Sequence, residues 1–463
     1  MQESNVIVAI STPAGTGGIA VIRLSGKGCI ELVDTVFSTP NNKVLSEQKA
    51  NTIHFGSIIK DGIILDEVLV SVFKAPHSFT GEDIVEISCH GSIYIQQNIL
   101  QLLISEGASL ARPGEFTQRA FINGKMDLSQ AESVADLIAS SSAATHRLAM
   151  NQMRGGFSNK LTELRVELLN FSSLIELELD FSEEDVEFAN REKLKEAACD
   201  IERHIKQLAE SFSVGNAVKN GIPVAIIGET NAGKSTLLNL LLHEDKAIVS
   251  DIHGTTRDVI EDVISIQGLT FRLIDTAGIR DTLDEIENIG IERTFKKIEQ
   301  ASIILWVADV STSDEHLEYL ASKILPASKG KQLILVLNKV DSISMDRKID
   351  KMQLFLEEVP DRVFISAKYE QDTDQLEDIL VKAANIPEIG ERDIIVTNIR
   401  HYEALENALA SIRRVSEGLD LQISGDFIAQ DIRECMHYLG EITGQISTDD
   451  ILGNIFSKFC IGK

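Results

Sequence analysis

The stretch IPVAIIGETNAGKSTLLNLLL, residues 222–242, constrains this chain more than any other. Val224 to Ile227 read as a short buried strand, and Ser235 onward reads as a helix. Between them lies Gly-x-x-x-x-Gly-Lys-Ser, from Gly228 to Ser235. Its glycines let successive backbone N–H groups wrap phosphate oxygens. Lys234 reaches the β- and γ-phosphates and Ser235 ligates magnesium. The phosphate-side set is Asn231, Ala232, Gly233, Lys234, Ser235 and Thr236. A strand before such a loop and a helix after it predict a doubly wound P-loop domain.

Later segments name the base. TFRLIDTAG is a strand ending at Asp275, followed by Thr276, Ala277 and Gly278. There a carboxylate can hold the magnesium shell and a glycine can meet the γ-phosphate. QLILVLNKVD is a strand ending in Asn338, Lys339 and Asp341. A carboxylate at Asp341 accepts from guanine N1–H and the exocyclic amine, a donor pair that adenine lacks. RVFISAK supplies Ser366, Ala367 and Lys368, a loop that supports guanine. DIHGTTRD, with Asp251, Ile252, His253, Gly254, Thr255 and Thr256, lies between the first two motifs, and Thr256 is the expected switch threonine on magnesium. Together these predict a GTP-binding domain over residues 216–382, with SVGNAVKNG before it and ANIPEIGERD after it as linkers. Where Ras-like proteins carry a water-orienting glutamine, this chain has Ile279, which cannot hydrogen-bond water. Asp281, Asp284, Glu285 and Glu287 lie just beyond, and a solvated acidic loop accounts for most of them.

The flanks differ in pattern. At 463 residues the chain has room for two to four domains. Residues 1–120 carry short β-like runs such as NVIVAI, GIAVIRL, EVLVSVF and DIVEISC, which predict an α/β or α+β domain. Residues 121–215 and 383–463 turn helical. Ser129 and Glu132 form an expected capping box. Leu161, Leu164, Leu168, Phe171 and Ile175 share one helix face. The economical arrangement packs these two helical parts together, with the GTPase inserted between them. No apolar run reaches membrane-spanning length, and the N-terminus lacks the basic and apolar regions of a signal peptide. Five scattered cysteines without a Cys-x-x-Cys pair argue against a disulfide framework or structural zinc, and fit a reducing cytoplasm. A net charge of -27 argues against a large electrostatic footprint for nucleic acid.

The terminal CIGK has three readings. Cys460 stands where a prenylation signal would put its cysteine, but Gly462 and Lys463 suit that signal poorly. A frayed tail is the second. The third is a docked helix. In STDDILGNIFSKF, Ser447 or Thr448 can cap, and Ile451, Ile455 and Phe459 share a face, which would present CIGK at a fixed place.

Taken together, TPAGTGGIAVIRLSG, SFTGEDIVEISCHG, ARPGEFTQRAFINGKMDLSQAE, the GTPase motifs and the CIGK tail resemble the MnmE (TrmE) family of tRNA uridine-modifying GTPases along essentially the whole chain. The resemblance implies a multidomain protein: an N-terminal folate-binding α+β domain that homodimerises, a helical domain split in sequence, and an inserted P-loop GTPase. It implies folate contacts at Arg23, Glu86, Lys125 and Lys463. It places Cys460 at the folate cavity, where the thiol is a nucleophile, a group that shapes the site, or an inert cysteine. It implies magnesium at Ser235 and Thr256, and potassium held by Asn231, Ser250, Ile252 and Thr255. Glu287 matches the family's water-organising glutamate. The implied partners are tRNA and MnmG, an FAD-dependent protein, and the implied product carries an aminomethyl-type group at C5 of the wobble uridine. Thr230, Ser250 and the serine of CHGS depart from the usual family residues, but none removes an expected ligating group. The acidic charge suggests that MnmG carries most of the RNA contact. The rival reading, a ribosome-assembly GTPase without modification chemistry, predicts a basic appendage that this sequence lacks.

Overall fold

A computed structural model describes residues 6–180, 191–244, 262–274, 295, 297–343, 359–387, 390, 393–446, 449–457 and 459–462. The chain packs as two compact units. One comprises Met1–Ile138, Gln152–Glu202 and Asn407–Lys463, the other Ala139–Asn151 and Arg203–Glu406.

The first unit begins as α+β. Its early elements are β1 (Ile7–Ile10), β2 (Ile19–Ser25), α1 (Cys29–Asp34), β3 (Phe37–Ser38), β4 (Thr52–Lys60), β5 (Ile63–Phe73), β6 (Ile84–His90), α2 (Ile93–Ser105) and β7 (Ser109–Leu110). The strands form one sheet in the order β3-β4-β5-β6-β2-β1-β7, antiparallel throughout except at β1–β7. Alternation along the strands explains this arrangement. Val68, Val70 and Val72 of β5 are buried with Ile22, Leu24, Val85 and Ile87, against Val33 of α1 and Ile99 and Leu103 of α2. The opposite face leaves Ile53, Phe55 and Leu69 exposed, and β4 sets Phe55 directly across from Leu69. One covered face is the usual state of an antiparallel sheet.

Helices follow: α3 (Glu115–Ile122), α4 (Leu128–Ala139), α5 (Ala143–Met153), α6 (Gly156–Asp180) and α7 (Arg191–Asn220). The capping box at the start of α4 is Asp127 and Gln130, not Ser129 and Glu132. Asp127 Oδ1 accepts from Gln130 N at 2.9 Å, and Gln130 Oε1 accepts from Asp127 N at 2.9 Å. Ser129 is fully buried inside the first turn, so its hydroxyl cannot sit at the cap. On α6 the expected face, Leu161 to Ile175, is buried.

The second unit holds β8 (Ile222–Ile227), α8 (Lys234–Glu244), β9 (Asp262–Ile266), β10 (Leu269–Leu273), β11 (Ile303–Asp309), α9 (Asp314–Ala327), β12 (Gln332–Asn338), β13 (Arg362–Phe364) and α10 (Thr373–Ala384). Its sheet runs β13-β12-β11-β8-β10-β9 and is parallel apart from the β9–β10 pair. The unbroken apolar run of β11 follows from burial on both faces. Leu305 and Val307 pack in a core with Leu237 of α8 and Leu376 of α10. Ile304 and Trp306 pack in another with Leu317 and Ile324 of α9. SVGNAVKNG is not an extended linker: α7 runs through it. Its glycine permits a close approach instead. A Cβ on Gly215 would lie 2.0 Å from Val396 O. Nearby, Ser211 Oγ accepts from Val396 N at 3.0 Å, and Phe212 stacks on Tyr402 with centroids 4.7 Å apart.

The chain closes with α11 (Ile399–Asp420), α12 (Gly425–Thr443) and α13 (Asp449–Ser457). In the first unit α12 packs along α6. The helix following the insert thus lies against one preceding it. Arg413 Nε meets Glu202 Oε1 at 3.0 Å, and Arg414 Nε meets Asp431 Oδ1 at 2.7 Å.

Helix α13 is docked. Phe456 is buried with Leu128 and Ala131 of α4, and Phe121, Leu452, Ile455 and Phe459 pack around them. The segment after it is held as far as Gly462. Gly114 N donates to Cys460 O at 3.3 Å and Ser11 Oγ donates to Gly462 O at 3.1 Å. Gly462 adopts φ +92°, and a Cβ there would lie 2.5 Å from Ile10 O. The frayed reading therefore does not hold for residues 459–462; Lys463 and the caps Ser447 and Thr448 lie outside the described residues. Phe456→Ala should destabilise the first unit by about 3 kcal/mol, the cost of deleting a buried aromatic ring. Urea denaturation reads this directly, and an unmoved midpoint would mean that the helix is not docked in solution.

Candidate functional site

The carboxyl ends of β8, β11, β12 and β13 converge in the second unit, where ligands bind in open parallel sheets. Backbone crowding shapes the loop after β8. A Cβ on Gly228 would lie 2.0 Å from Val307 O, and one on Gly233 would lie 2.0 Å from Asn338 Nδ2. Both positions have positive φ, +143° and +97°, so glycine alone fits them without strain. Asn231 also lies in the left-handed region, at φ +66°, which asparagine tolerates. These glycines let the loop backbone pass close to Val307 O and the Asn338 amide, a backbone turn of the kind whose N–H groups suit phosphate oxygens.

Lys234, the first residue of α8, donates from Nζ to Gly228 O at 2.8 Å and Glu229 O at 2.6 Å. Desolvation, aided by the Lys297 charge, lowers its pKa. Ser235 and Thr236 follow, exposed in the first turn of the helix.

The base-side residues are joined to the phosphate loop. Asn338 is buried, donates from Nδ2 to Ala232 O at 2.9 Å, and accepts at Oδ1 from Ala367 N at 3.0 Å. Ser366 Oγ donates to Asp341 Oδ1 at 2.6 Å, which aims the exposed carboxylate. Lys368 is exposed, with its Nζ 5.0 Å from the Tyr369 ring centroid.

Two contacts here were not anticipated from sequence. Lys339 Nζ pairs with Asp309 Oδ2 at 2.7 Å, and Ser311 donates twice to Asp309 Oδ1. Burial raises the Asp309 pKa, but the bonds from Lys339 and Ser311 outweigh it and leave a lowered value. The stabilisation from this pair is therefore present at neutral pH and lost as pH falls through that lowered pKa. The other contact is His316 Nε2 to Glu229 Oε1, 2.6 Å, from α9 to the phosphate loop. For Asp309 the available signal was a carboxylate ending an apolar strand one strand away from Asn338; for His316 there was none.

Ser250, Asp251, Ile252, His253, Gly254, Thr255, Thr256, Asp275, Thr276, Ala277, Gly278, Ile279 and Glu287 lie outside the described residues. Of the metal ligands expected, only Ser235 and Asn231 are therefore placed, both on the phosphate loop.

A second set of expected residues meets on the sheet of the first unit. Arg23 and Glu86 are register partners across β2 and β6, and Arg23 NH2 lies 2.7 Å from Glu86 Oε1. The guanidinium lies over the rings of both Phe79 and Phe116, 5.7 and 5.8 Å from their centroids. Lys125 Nζ donates to Pro76 O at 3.0 Å. The thiols divide sharply. Burial, with nearby carboxylates, raises Cys29, Cys89 to about 11 and Cys435 to about 12, while Cys199 and Cys460 are exposed. Among the described residues no group of His, Cys, Asp and Glu could hold a metal, and no helix is long and apolar enough to cross a membrane.

Two family descriptions match this architecture: "MnmE helical domain" over residues 128–460 and "GTP-binding protein TrmE N-terminus" over residues 6–125. The tRNA modification GTPase MnmE of Bacteroides thetaiotaomicron is 60% identical over 466 residues, covering 100% of both chains. That of Flavobacterium johnsoniae is 52% identical over 467 residues, again covering 100% of each. With family matches over residues 6–125 and 128–460 and full-length similarity at this level, the chain belongs to the MnmE family of tRNA modification GTPases.

Proposed function

We propose that this chain binds and hydrolyses GTP and uses the resulting cycle in the modification of tRNA. The observation that carries the nucleotide reading is the linked cluster of Asn338, Ala232, Ala367, Ser366 and Asp341. It ties the phosphate loop to a carboxylate able to take guanine's two donors. Lys234 and the loop N–H groups hold the phosphates. Ser235 and Thr256 would ligate magnesium, which when bound neutralises charge on the β- and γ-phosphates. Asn231, Ser250, Ile252 and Thr255 would hold potassium, and Glu287 would organise the attacking water in place of the glutamine that Ile279 replaces.

In the first unit, Arg23, Glu86, Lys125 and Lys463 would bind a tetrahydrofolate, which supplies the one-carbon unit. A folate carboxylate suits Lys125 or the guanidinium of Arg23, and Glu86 suits pterin N–H donors. The docked segment from α13 presents the exposed Cys460 beside this sheet. With MnmG, the assembly would install an aminomethyl-type group at C5 of the wobble uridine, with MnmG carrying most of the RNA contact. The setting would be the cytoplasm. Two copies would meet through the uncovered sheet face of Ile53, Phe55 and Leu69, an apolar patch of the kind interfaces use.

Asp341→Asn should weaken GTP binding about a hundredfold, because the amide keeps one neutral acceptor and sets an N–H donor against guanine's second donor. Titration calorimetry measures it, and unchanged affinity would end the guanine reading. Native alkylation followed by peptide mass analysis should label Cys199 and Cys460 and spare Cys29, Cys89 and Cys435; labelling of the buried three at the same rate would contradict the packing. Phe55→Glu should convert a dimer to a monomer in sedimentation velocity. Persistence of the dimer would place the interface elsewhere.

A further inference from the structure

We propose that Arg119 and Glu82 act as a positioning clamp for the folate site, setting the loop 75–83 against α3 so that Arg23 and Lys125 are held ready for ligand. This inference rests on the folate reading above and adds residues that touch no folate themselves.

The clamp starts with a guanidinium shared between two carboxylates. Arg119 NH1 donates to Glu82 Oε2 at 3.0 Å, and its NH2 donates to Glu115 Oε1 at 3.2 Å. The three side chains are only 14%, 17% and 11% exposed. Glu115 belongs to the same helix as Arg119, but Glu82 belongs to the loop, so of these two ion pairs it is Arg119–Glu82 that joins the two elements. Arginine suits this role because its fork reaches two acceptors at once, whereas a lysine is a point charge.

The loop end of the clamp is fixed from the sheet. Ser25 Oγ donates to Glu82 Oε2 at 2.8 Å. Its one proton is then used, so the Thr80 hydroxyl 2.7 Å away donates to Ser25. Ser25 and Thr80 are both fully buried. Ser25 lies two residues beyond Arg23 on β2, on the same sheet face. The chain of bonds thus runs from α3 through the loop to the strand that carries Arg23.

Each described folate candidate depends on this junction. The Arg23 guanidinium lies over the rings of both Phe79 of the loop and Phe116 of α3, and Glu86 pairs with that guanidinium. Lys125, just past α3, donates to Pro76 O in the loop. Asn123 Nδ2 donates to Thr80 O at 2.8 Å. Gly81 has φ +78°, and a Cβ there would lie 3.2 Å from Asn123 Cβ and 3.3 Å from Lys125 Cγ. If the loop moved off α3, Arg23 would lose one of its two rings and Lys125 would lose its acceptor together. An apolar contact could join loop to helix without the desolvation cost of a shared guanidinium, but it would not fix their register.

The test is titration calorimetry of 5-formyltetrahydrofolate with the full chain and with two variants, Glu82→Gln and Arg119→Lys. Glu82→Gln keeps the shape and an acceptor for Ser25 but removes the charge. Arg119→Lys keeps the charge but reaches one carboxylate. Both should weaken folate binding, Glu82→Gln by about tenfold, the loss of a charge-assisted hydrogen bond. Leu103→Ala, a core deletion in α2 of the same unit, controls for stability: it should lower the urea midpoint at least as much and leave folate affinity unchanged. Equal affinity of wild type and both clamp variants overturns the proposal and leaves the folate reading standing. So does a loss in Leu103→Ala that matches theirs, since the effect would then be structural alone. No binding by the wild type overturns both. Should either clamp variant fail to fold, Asn123→Ser, which removes the bond to Thr80 from a more exposed position, is expected to weaken folate in the same direction, and unchanged affinity in it overturns the proposal.

Discussion

One carboxamide organises the nucleotide end of this protein. Asn338 leaves β12 buried, gives a proton to the phosphate loop at Ala232 and takes one from Ala367 beyond β13. A carboxylate could only accept, and a hydroxyl would have to donate and accept at a single atom; the amide carries donor and acceptor on separate atoms of one planar group and so reaches Ala232 and Ala367 together. Gly233 is glycine for the same reason: its missing side chain is the space that Asn338 Nδ2 occupies. Without these two bonds the phosphate loop loses its tie to the base-side loops, which Ser366 still joins to Asp341. The mostly parallel sheet, with β11 apolar from Ile303 to Ala308, is the base from which these ends project.

The first unit relies on a different balance. Arg23 and Glu86 are about a quarter exposed, so their pair contributes little to stability and is open to exchange with a charged ligand. The Glu82, Arg119 and Glu115 group beneath is more deeply held and has no such freedom. A labile pair over a firm one suits a surface that must accept and release a ligand while keeping its shape. In a chain of net charge -27, acidic groups outnumber cations, and both of these half-buried arginines are held by carboxylates.

Much of this was readable from the residues. The phosphate loop falls between β8 and α8 as its glycine spacing requires, and the α6 face from Leu161 to Ile175 is buried as its period implies. These patterns are local, and local periodicity survives folding. The errors were also local in sequence but tertiary in cause. Ser129 has the right chemistry for a cap, yet Asp127 has it too and lies outside the buried first turn. Gly215 has the look of a linker because glycine serves both turns and close contacts, and only the neighbouring Val396 carbonyl tells them apart. That Arg23 faces Glu86, or that Lys339 finds Asp309, depends on strand register and order, which no single segment encodes.

The docking of the C-terminal segment carries a consequence for synthesis. Ser11 and Gly462 meet across a separation of 451 positions. At ordinary rates of translation, the N-terminal sheet and helix α4 wait on the order of tens of seconds before α13 emerges. Throughout that interval Phe121, Leu128 and Ala131 lie open as an apolar groove on a growing chain. A chain cut short late in translation keeps its GTP-binding motifs but lacks the docked Cys460, so nucleotide binding and tail assembly are completed at different moments of its synthesis.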